Sequence, residues 1–400
     1  MTAVGLNMTI NGGAAPTVGT FGVVNPATAN VFAQAPACSR GQLDEAMTAA
    51  QTAFRNWRED DKVRRVVLGE MGDALEAAAD WLAPLLTTEQ GKPLRDARME
   101  IGGAVAWLRY YADLESPREI VQDDEHGYVE VVRRPLGVVA AITPWNFPVA
   151  LAAWKVAPAL RAGNTMVLKP SPFTPLTTLA LGEIWREVLP PGVLNVVSGP
   201  DPLGAWMTAH PVPRKISFTG STATGKKVAV AAAEDVKRVT LELGGNDPAI
   251  VLDDADPEQI ADSLFWAAFA NNGQVCCDVK RVYVHQRRHG DFVAALVARA
   301  KARGSATALN LMSNWDRSTT NHSSIGLANW SATRSDTEPW RRPAAARWTG
   351  PATFSHPPSS PGSPTAPGSL TRNSSARPYR SSHTKTSMRQ SSGRTEQPMA

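Results

Sequence analysis

Runs rich in valine and isoleucine alternate with helix-like stretches from residue 128 to residue 285, and few folds accommodate such a chain. Strands that alternate with helices favour a parallel sheet with helices on both faces. The runs lack regular polar alternation, which predicts strands buried on both sides. Ligands of such sheets bind beyond the carboxyl ends of the strands, so a site is expected there. The predicted strands cover residues 128–142, 164–170, 193–199, 215–220, 238–243, 248–253 and 281–285, and the main predicted helices cover residues 176–188, 225–233 and 257–271.

The part that precedes these strands is predicted to contain several helices. Ser39 followed by Gln42 has the pattern of a capping box and predicts a helix that runs to about Trp57. The sequence of residues 62–114 predicts two more helical stretches. We expect a break near Gly91 and Pro93, because glycine and proline interrupt helices.

The composition changes abruptly near residue 302. Residues 1–302 hold 29 Lys and Arg against 33 Asp and Glu, whereas residues 303–400 hold 12 against 4. Serine follows the same division, with 7 in the first part and 19 in the second. The formal net charge of +4 therefore comes from the C-terminal segment (residues 303–400). That segment also has Ser- and Pro-rich stretches that cannot hold a helix or an interior strand, and we expect it to be disordered.

Several classes of protein are excluded by simple counts. No uninterrupted apolar run reaches about 18 residues, so we expect no membrane-spanning helix. Three cysteines (Cys38, Cys276 and Cys277) are too few for a disulfide framework and suggest a reducing compartment. The first residues lack a basic segment followed by an apolar core, so we expect a cytoplasmic protein without a signal peptide.

Two motifs follow the first predicted strands of the sheet. In TPWNFP (143–148), the side-chain amide of Asn146 sits between bulky residues and is able to stabilise a developing oxyanion. For this motif alone, a proline-rich turn without chemistry is the better explanation. Lys169 ends a predicted buried strand and is placed to reach a ribose or phosphate oxygen, although a surface lysine is the simple alternative.

Three further motifs lie near later strands. In FTGSTATGKKV (218–228), a strand leads through Ser221 into a helix whose first N–H groups would bind an anion, a weak signal alone. In LELGGNDP (241–248), Glu242 lies between two leucines, and apolar surroundings would suit it as a general base. In NNGQVCC (271–277), Cys276 follows a Gly-Gln turn and is a candidate nucleophile. Taken alone, Glu242 is better explained as a surface acid and Cys276 as a buried thiol.

The order and wording of PWNFP, KPS, GST-x-x-G, LELGG and GQ-x-C resemble the aldehyde dehydrogenase superfamily from about residue 21 to about residue 301. The resemblance implies oxidation of an aldehyde to a carboxylic acid. Cys276 would be the nucleophile, Asn146 would hold the oxyanion, Glu242 would activate water, and Lys155 would relay a proton. It implies an NAD or NADP cofactor and a small-molecule aldehyde as partner. The residues implied in cofactor binding are Trp145, Lys169, Ser171, Gly220, Ser221, Gly225 and Gly244, and no metal or nucleic-acid site is implied.

The resemblance implies an α/β fold in two parts up to residue 302. Residues 1–245 would form a Rossmann-like parallel-sheet cofactor domain with a bridging strand at about 128–142, and residues 246–302 would form part of an α/β catalytic domain. NAD-selective members often carry a glutamate three residues after the KPS-type lysine. Here that position is Pro172, so the choice between NAD and NADP stays open.

The resemblance stops where the composition changes, and we interpret the C-terminal segment as a shifted reading frame. When residues 372–390 are back-translated and read one base earlier, codons exist for Glu-Gln-Phe-Gly-Pro, a hallmark of this family. In the same shifted frame, residues 304–308 and 310–329 also permit short amino-acid stretches typical of this family. The shift would remove the glutamate that holds the nicotinamide ribose and the strand through which the family forms homo-oligomers. We therefore expect impaired activity and bare surfaces around Phe265, Trp266 and Phe269.

Two other functions remain open at this stage. The chain could be an inactive nucleotide-binding remnant of such an enzyme. It could also be a binding protein that uses residues 303–400 as a basic arm.

Overall fold

The computed structural model describes residues 5–302, and the structural statements below concern that part of the chain. The prediction of a disordered C-terminal segment lies outside the described residues. The strands are β1 (Thr9–Ile10), β2 (Gly13–Ala14), β3 (Thr20–Asn25), β4 (Asn30–Pro36), β5 (Glu119–Asp124), β6 (Gly127–Val131), β7 (Val138–Ile142), β8 (Thr165–Lys169), β9 (Leu194–Val196), β10 (Lys215–Gly220), β11 (Arg238–Leu243), β12 (Asp247–Val251) and β13 (Val279–Val284). The helices are α1 (Arg40–Trp57), α2 (Asp61–Ala77), α3 (Ala79–Gln90), α4 (Leu94–Asp113), α5 (Pro148–Arg161), α6 (Leu176–Trp185), α7 (Leu203–Ala209), α8 (Thr222–Glu234), α9 (Pro257–Phe269) and α10 (His289–Lys301).

A sheet of order β11-β10-β7-β8-β9-β1-β2 forms the centre of the described chain. The strands from β11 to β9 are mutually parallel, and β1 and β2 extend the sheet in antiparallel fashion. The predicted α/β fold with a parallel sheet is thus confirmed. The strands β12 and β13 pair in parallel as a separate two-stranded sheet.

Burial in the central sheet is deepest at β7, β8 and β9. All five residues of β8 are buried, and four of the five in β7 are buried as well. Helices α1 and α5 pack on β8, which explains why these strands carry apolar side chains on both faces. The same expectation is wrong for β11, β12 and β13, whose residues are mostly exposed or half-buried.

Two sequence predictions about the bounds of elements need correction. Residues 128–142 are not one strand: β6 pairs with β5 in a hairpin, and β7 joins the central sheet. Pro135 and Gly137, the latter with φ +129°, separate them, because proline lacks an N–H group and this φ favours glycine. Residues 62–114 form three helices, with an additional boundary at Ala78. The break at Gly91 is confirmed, since Gly91 ends α3 in the left-handed region.

The expected bare surface at Phe265 is also wrong. Phe265 is 1% exposed, because its ring packs against Trp266 and Phe269 on the same helix and because α9 contacts α10. Trp266 and Phe269 are half-buried. Residues 246–302 therefore contain buried apolar side chains, among them Phe265 and Phe292.

Candidate active site

The strand register brings the four motifs that end strands of the central sheet to one edge of that sheet. Ile142, the last residue of β7, lies opposite Lys169 on β8 and opposite Phe218 on β10. Gly220 at the end of β10 lies opposite Leu243 at the end of β11. The chain passes from β7 to β8 and β9 on one side and returns to β10 on the other, so the topological switch point lies between β7 and β10. Ligands of open α/β sheets bind at such a point, outside the carboxyl ends of the strands.

Asn146 lies in the segment between β7 and α5. Its side-chain Nδ2 donates a hydrogen bond of 2.7 Å to the carbonyl oxygen of Gln274, two residues before Cys276. Its Oδ1 is buried and accepts no hydrogen bond from residues 5–302. The predicted donor therefore lies beside the segment of the predicted nucleophile. One of its two amide hydrogens is used in that contact, and the other is free to serve a ligand.

Cys276 lies on an exposed turn after α9. Asn271, Asn272 and Gly273 precede it with φ values of 48°, 60° and 71°. Such left-handed conformations are costly outside glycine and often occur at functional sites. The amide of Gly245, just beyond β11, donates to the carbonyl oxygen of Cys276 at 3.1 Å. This bond joins the motif that contains Glu242 to the motif that contains Cys276.

The thiol of Cys276 is not activated in the described structure. Its partial burial and the neighbouring Cys277 raise the pKa of Cys276. Because the thiolate is the nucleophile, attack requires a base or another change that favours the thiolate when substrate is present.

Glu242 does not lie in apolar surroundings, which corrects the sequence prediction. Side chains alternate along a strand, so Leu241 and Leu243 pack on the core while Glu242 is exposed on the opposite side. In addition, β11 is the terminal strand of the sheet as described. Glu242 is therefore accessible to water.

Lys155 on α5 is buried beneath this edge. Its Nζ lies 3.1 Å from Oγ of Ser217 on β10. Burial lowers the pKa of Lys155 to about 8, although the carboxylate of Glu242 acts in the opposite direction. A lysine with a pKa near neutrality can both release and accept a proton. The electrostatic influence of Glu242 on the pKa of Lys155 links this lysine to the site.

Lys169 ends β8, Ser171 lies two residues beyond it, and both are buried. The Nζ of Lys169 donates to the carbonyl oxygen of Pro170 at 3.1 Å, and burial lowers the pKa of Lys169 to about 8. Oγ of Ser171 accepts the amide of Phe173 at 3.2 Å. The simple alternative of a solvated surface lysine is therefore wrong for Lys169. A buried ammonium with one neutral partner is well suited to an additional oxygen ligand.

Ser221 lies at the N-terminus of α8. Ser221 caps the helix by accepting the amide of Thr224 at 3.2 Å, and its side chain is exposed. Gly225 permits close packing, because a Cβ there would lie 2.6 Å from Cδ2 of Leu243. Gly220 ends β10, and a Cβ would meet the ring of Phe218 at 2.6 Å. Gly244 is exposed with open space around it, and Trp145 is half-buried at the same edge of the sheet.

Four residues of this region were missed by sequence reasoning. Lys92 and Glu100 form a buried ion pair that also contacts the segment of Asn146. Asn271 and Gln274 complete the hydrogen bonds around the same segment. A lysine between Gly91 and Pro93, and a glutamate within the apolar face of α4, were the available signals.

No helix among residues 5–302 combines the length and the apolar character needed to cross a membrane. The same range contains no cluster of three or more His, Cys, Asp or Glu side chains suited to a metal ion.

The chain is similar to proteins of one family. A model of the aldehyde dehydrogenase family matches residues 14–311. Betaine aldehyde dehydrogenase 1 of Oryza sativa is 41% identical over 296 residues, which cover 70% of this chain and 58% of the rice protein.

Two solved structures show the same relationship. An NAD+ complex of an aldehyde dehydrogenase from Bacillus cereus matches with a TM-score of 0.77 and 33% identity, over 81% of this chain and 68% of that one. An NADP-dependent enzyme from E. coli matches with a TM-score of 0.75 and 35% identity, over 78% and 66% of the two chains.

The chain spans about 60% of the length of the curated relatives it matches. The matched part includes the sheet edge and the segment of Cys276 described above. The protein is therefore a member of the aldehyde dehydrogenase family.

Proposed function

We propose that this site oxidises an aldehyde to a carboxylic acid with NAD or NADP and that Cys276 is the nucleophile. The observation that carries the proposal is the contact between Asn146 and Gln274, which joins an amide donor to the segment of an exposed thiol. Family membership supports the type of reaction. The particular aldehyde is left open.

The proposed chemistry assigns one task to each side chain. The thiolate of Cys276 attacks the carbonyl carbon, a C–S bond forms, and the carbonyl electrons move to the oxygen. The amide of Asn146 and the backbone N–H of Cys276 stabilise that oxyanion. A bound nicotinamide would accept the hydride that the substrate carbon loses, which leaves a thioester on Cys276. Glu242 then removes a proton from water, the water adds to the thioester, and the C–S bond breaks to release the acid and the thiol.

Lys155 is proposed to relay protons in this sequence. Its pKa of about 8 and its electrostatic contact with Glu242 support the role. The exposure of Glu242 suits a group that must reach water, although it differs from the surroundings that the sequence suggested.

The edge of the sheet fits a dinucleotide. Lys169 and Ser171 would hold the adenosine ribose, and Ser221 with the first amides of α8 would hold the pyrophosphate. Gly220, Gly225 and Gly244 would allow close approach of the backbone, and Trp145 would line the channel. Pro172 supplies no carboxylate against a 2′-phosphate, and the similar structures include an NAD+ complex and an NADP-dependent enzyme. Both cofactors are therefore kept in the proposal.

We also infer that the reading frame shifts near residues 301–304 and that turnover by the 400-residue chain is impaired. The change in composition at residue 302 and the family-like words in the other frame support this inference. The domain division at residue 245, the loss of a homo-oligomer strand and a cytoplasmic location remain predictions.

The test compares the 400-residue chain with a frame-restored chain in an assay of NAD(P)H formation over a panel of aldehydes. We expect the restored chain to be faster by about 100-fold, because misplacement of reacting groups by about 1 Å costs that much. Cys276→Ser in the restored chain is expected to abolish turnover, whereas the adjacent Cys277→Ser retains most of it. Full activity in Cys276→Ser would refute the assigned nucleophile. Sequencing codons 295–310 of the gene tests the frame directly.

A further inference from the structure

A buried ion pair lies behind Asn146. Lys92 follows α3 and Glu100 lies on α4, and their side chains are 1% and 2% exposed. The Nζ of Lys92 bonds directly to Oε2 of Glu100. Burying two charges is costly unless their remaining hydrogen-bonding groups are also satisfied. The other partners of this pair therefore indicate what it does.

Glu100 holds the start of α5. Its Oε1 accepts the amides of Val149 at 2.9 Å and Ala150 at 3.0 Å, both in the first turn of that helix. Phe147, at the N-cap position, makes no side-chain capping bond. Glu100 thus supplies from another helix the negative charge and the acceptor that a helix N-terminus favours.

Lys92 holds the residue before that helix. Its Nζ donates to the carbonyl oxygen of Asn146 at 3.0 Å and lies 4.0 Å from the centre of the Phe147 ring. The ion pair therefore binds the main chain on both sides of Phe147. Fixing these atoms fixes the backbone from which the side chain of Asn146 projects.

The contacts continue from Asn146 to the segment of the nucleophile. The side-chain Nδ2 of Asn271 donates to the same Asn146 carbonyl oxygen at 3.0 Å, and the side-chain Nδ2 of Asn146 donates to the carbonyl oxygen of Gln274 at 2.7 Å. A path of hydrogen bonds thus runs from Glu100 through Lys92 and Asn146 to within two residues of Cys276.

We propose that Lys92 and Glu100 are positioning residues that keep the side-chain amide of Asn146 within hydrogen-bonding distance of the Cys276 segment. Neither side chain contacts the thiol, so both act through the main chain at Asn146. The catalytic meaning of this role rests on the proposed function. The positional effect on Cys276 is measurable without aldehyde or cofactor.

A purely structural role is the alternative, and Lys237 provides the matched control. It is likewise a buried lysine, with a side chain 1% exposed, and its Nζ contacts Asp235 at 2.6 Å and the carbonyl of Thr208 at 3.1 Å. It directly precedes β11, at the end of that strand opposite to the site. Lys237→Met removes a buried lysine from its pair with Asp235, whose side chain is 48% exposed, without touching the segment of Asn146.

The experiment measures alkylation of Cys276 by iodoacetamide in the full chain, followed on its own peptide by mass spectrometry. We expect Lys92→Met to accelerate alkylation about fivefold, the factor that one lost hydrogen bond corresponds to. Lys237→Met is expected to leave the rate unchanged. Asn146→Ala should show the same acceleration, and adding Lys92→Met to it should give no further increase. Glu100→Gln, which keeps an acceptor for the amides of α5, serves as the second variant if Lys92→Met does not fold.

A wild-type alkylation rate in folded Lys92→Met or Glu100→Gln would overturn the proposal. An equal acceleration in Lys237→Met would overturn it as well. So would a double variant in which the effects of Lys92→Met and Asn146→Ala add. A second measurement separates this proposal from the proposed function. In a chain that oxidises aldehydes, Lys92→Met should lower kcat by about 100-fold with little change in KM. A chain with the expected alkylation pattern but no aldehyde oxidation, even after frame restoration, would refute the proposed function and support the positional role.

Discussion

The central sheet and residues 246–302 differ in how completely their own residues cover them. All of β8 is buried, and Val167 and Leu168 have no exposed surface. In the second region, Ile250, Leu252 and Tyr283 are 73%, 66% and 52% exposed in the described structure. Lys169, Ser171 and Ser221, predicted to bind a nucleotide, belong to the well-covered region, whereas Cys276 belongs to the other.

The comparison separates two requirements of the proposed reaction. Binding of the dinucleotide needs strand ends, a helix N-terminus and a buried lysine, and the central sheet with its helices supplies all of them. The thiol side needs an enclosed space that excludes water. Cys276 is exposed in the described part of the chain, so that enclosure is not provided by residues 5–302. Binding of the cofactor and chemistry on the thiol should therefore respond differently to mutation.

The largest expected difference concerns stability. Leu168→Ala should lower the free energy of unfolding by about 2–5 kcal/mol, because it leaves a cavity in a fully packed strand. Ile250→Ala should change it by less than about 0.5 kcal/mol, because the side chain is exposed. Urea denaturation of the two variants measures both values. An equal loss in Ile250→Ala would break the comparison and show that β12 is covered by some other part of the protein.

A smaller effect is expected on cofactor binding and its dependence on pH. The pKa of Lys169 is about 8, so its ammonium is lost as the pH rises through that value. The affinity for NADP should therefore fall between about pH 7 and pH 9, and more steeply than the affinity for NAD, which lacks the 2′-phosphate. Lys169→Met should weaken NADP binding about tenfold at pH 7, the size of a charge-assisted hydrogen bond, and should remove this slope.

Lys155→Met is the control for that measurement, because Lys155 is also buried, has a similar pKa, and contacts Ser217 rather than the proposed ribose site. Fluorescence titration with the reduced cofactors gives the dissociation constants. A slope that persists unchanged in Lys169→Met would remove Lys169 from the cofactor site.

The smallest expected effect compares two helix caps. Ser221 caps α8 and Asp256 caps α9, so alanine at either position should cost about 1 kcal/mol of stability. Only Ser221→Ala should also weaken dinucleotide binding, since only α8 starts at the proposed pyrophosphate site. Thermal denaturation and cofactor titration on the same samples test both statements. Equal weakening by Asp256→Ala would mean that the effect comes from stability alone.

Local patterns in the sequence determined the elements of the central sheet. Lys169 ends β8 and Gly220 ends β10, as predicted, because a run of β-branched residues closed by Pro or Gly-Ser defines a strand end locally. The capping box at Ser39 is present for the same reason, since its two hydrogen bonds join residues only three apart. Such short-range features, together with the family-like motifs, placed most of the candidate site.

Contacts between distant residues were decided only by the tertiary structure. The exposure of Glu242 follows from its position on a terminal strand, which no neighbouring residue in the sequence reveals. The bond from Asn146 to Gln274 spans 128 residues, and the bonds of Glu100 to the amides of Val149 and Ala150 span 49 and 50 residues. Burial and hydrogen bonding depend on which elements pack together, whereas periodicity shows only which face of each element is apolar. The sequence thus determined which segments form the site, and the packing of those segments decided how its side chains are exposed, paired and charged.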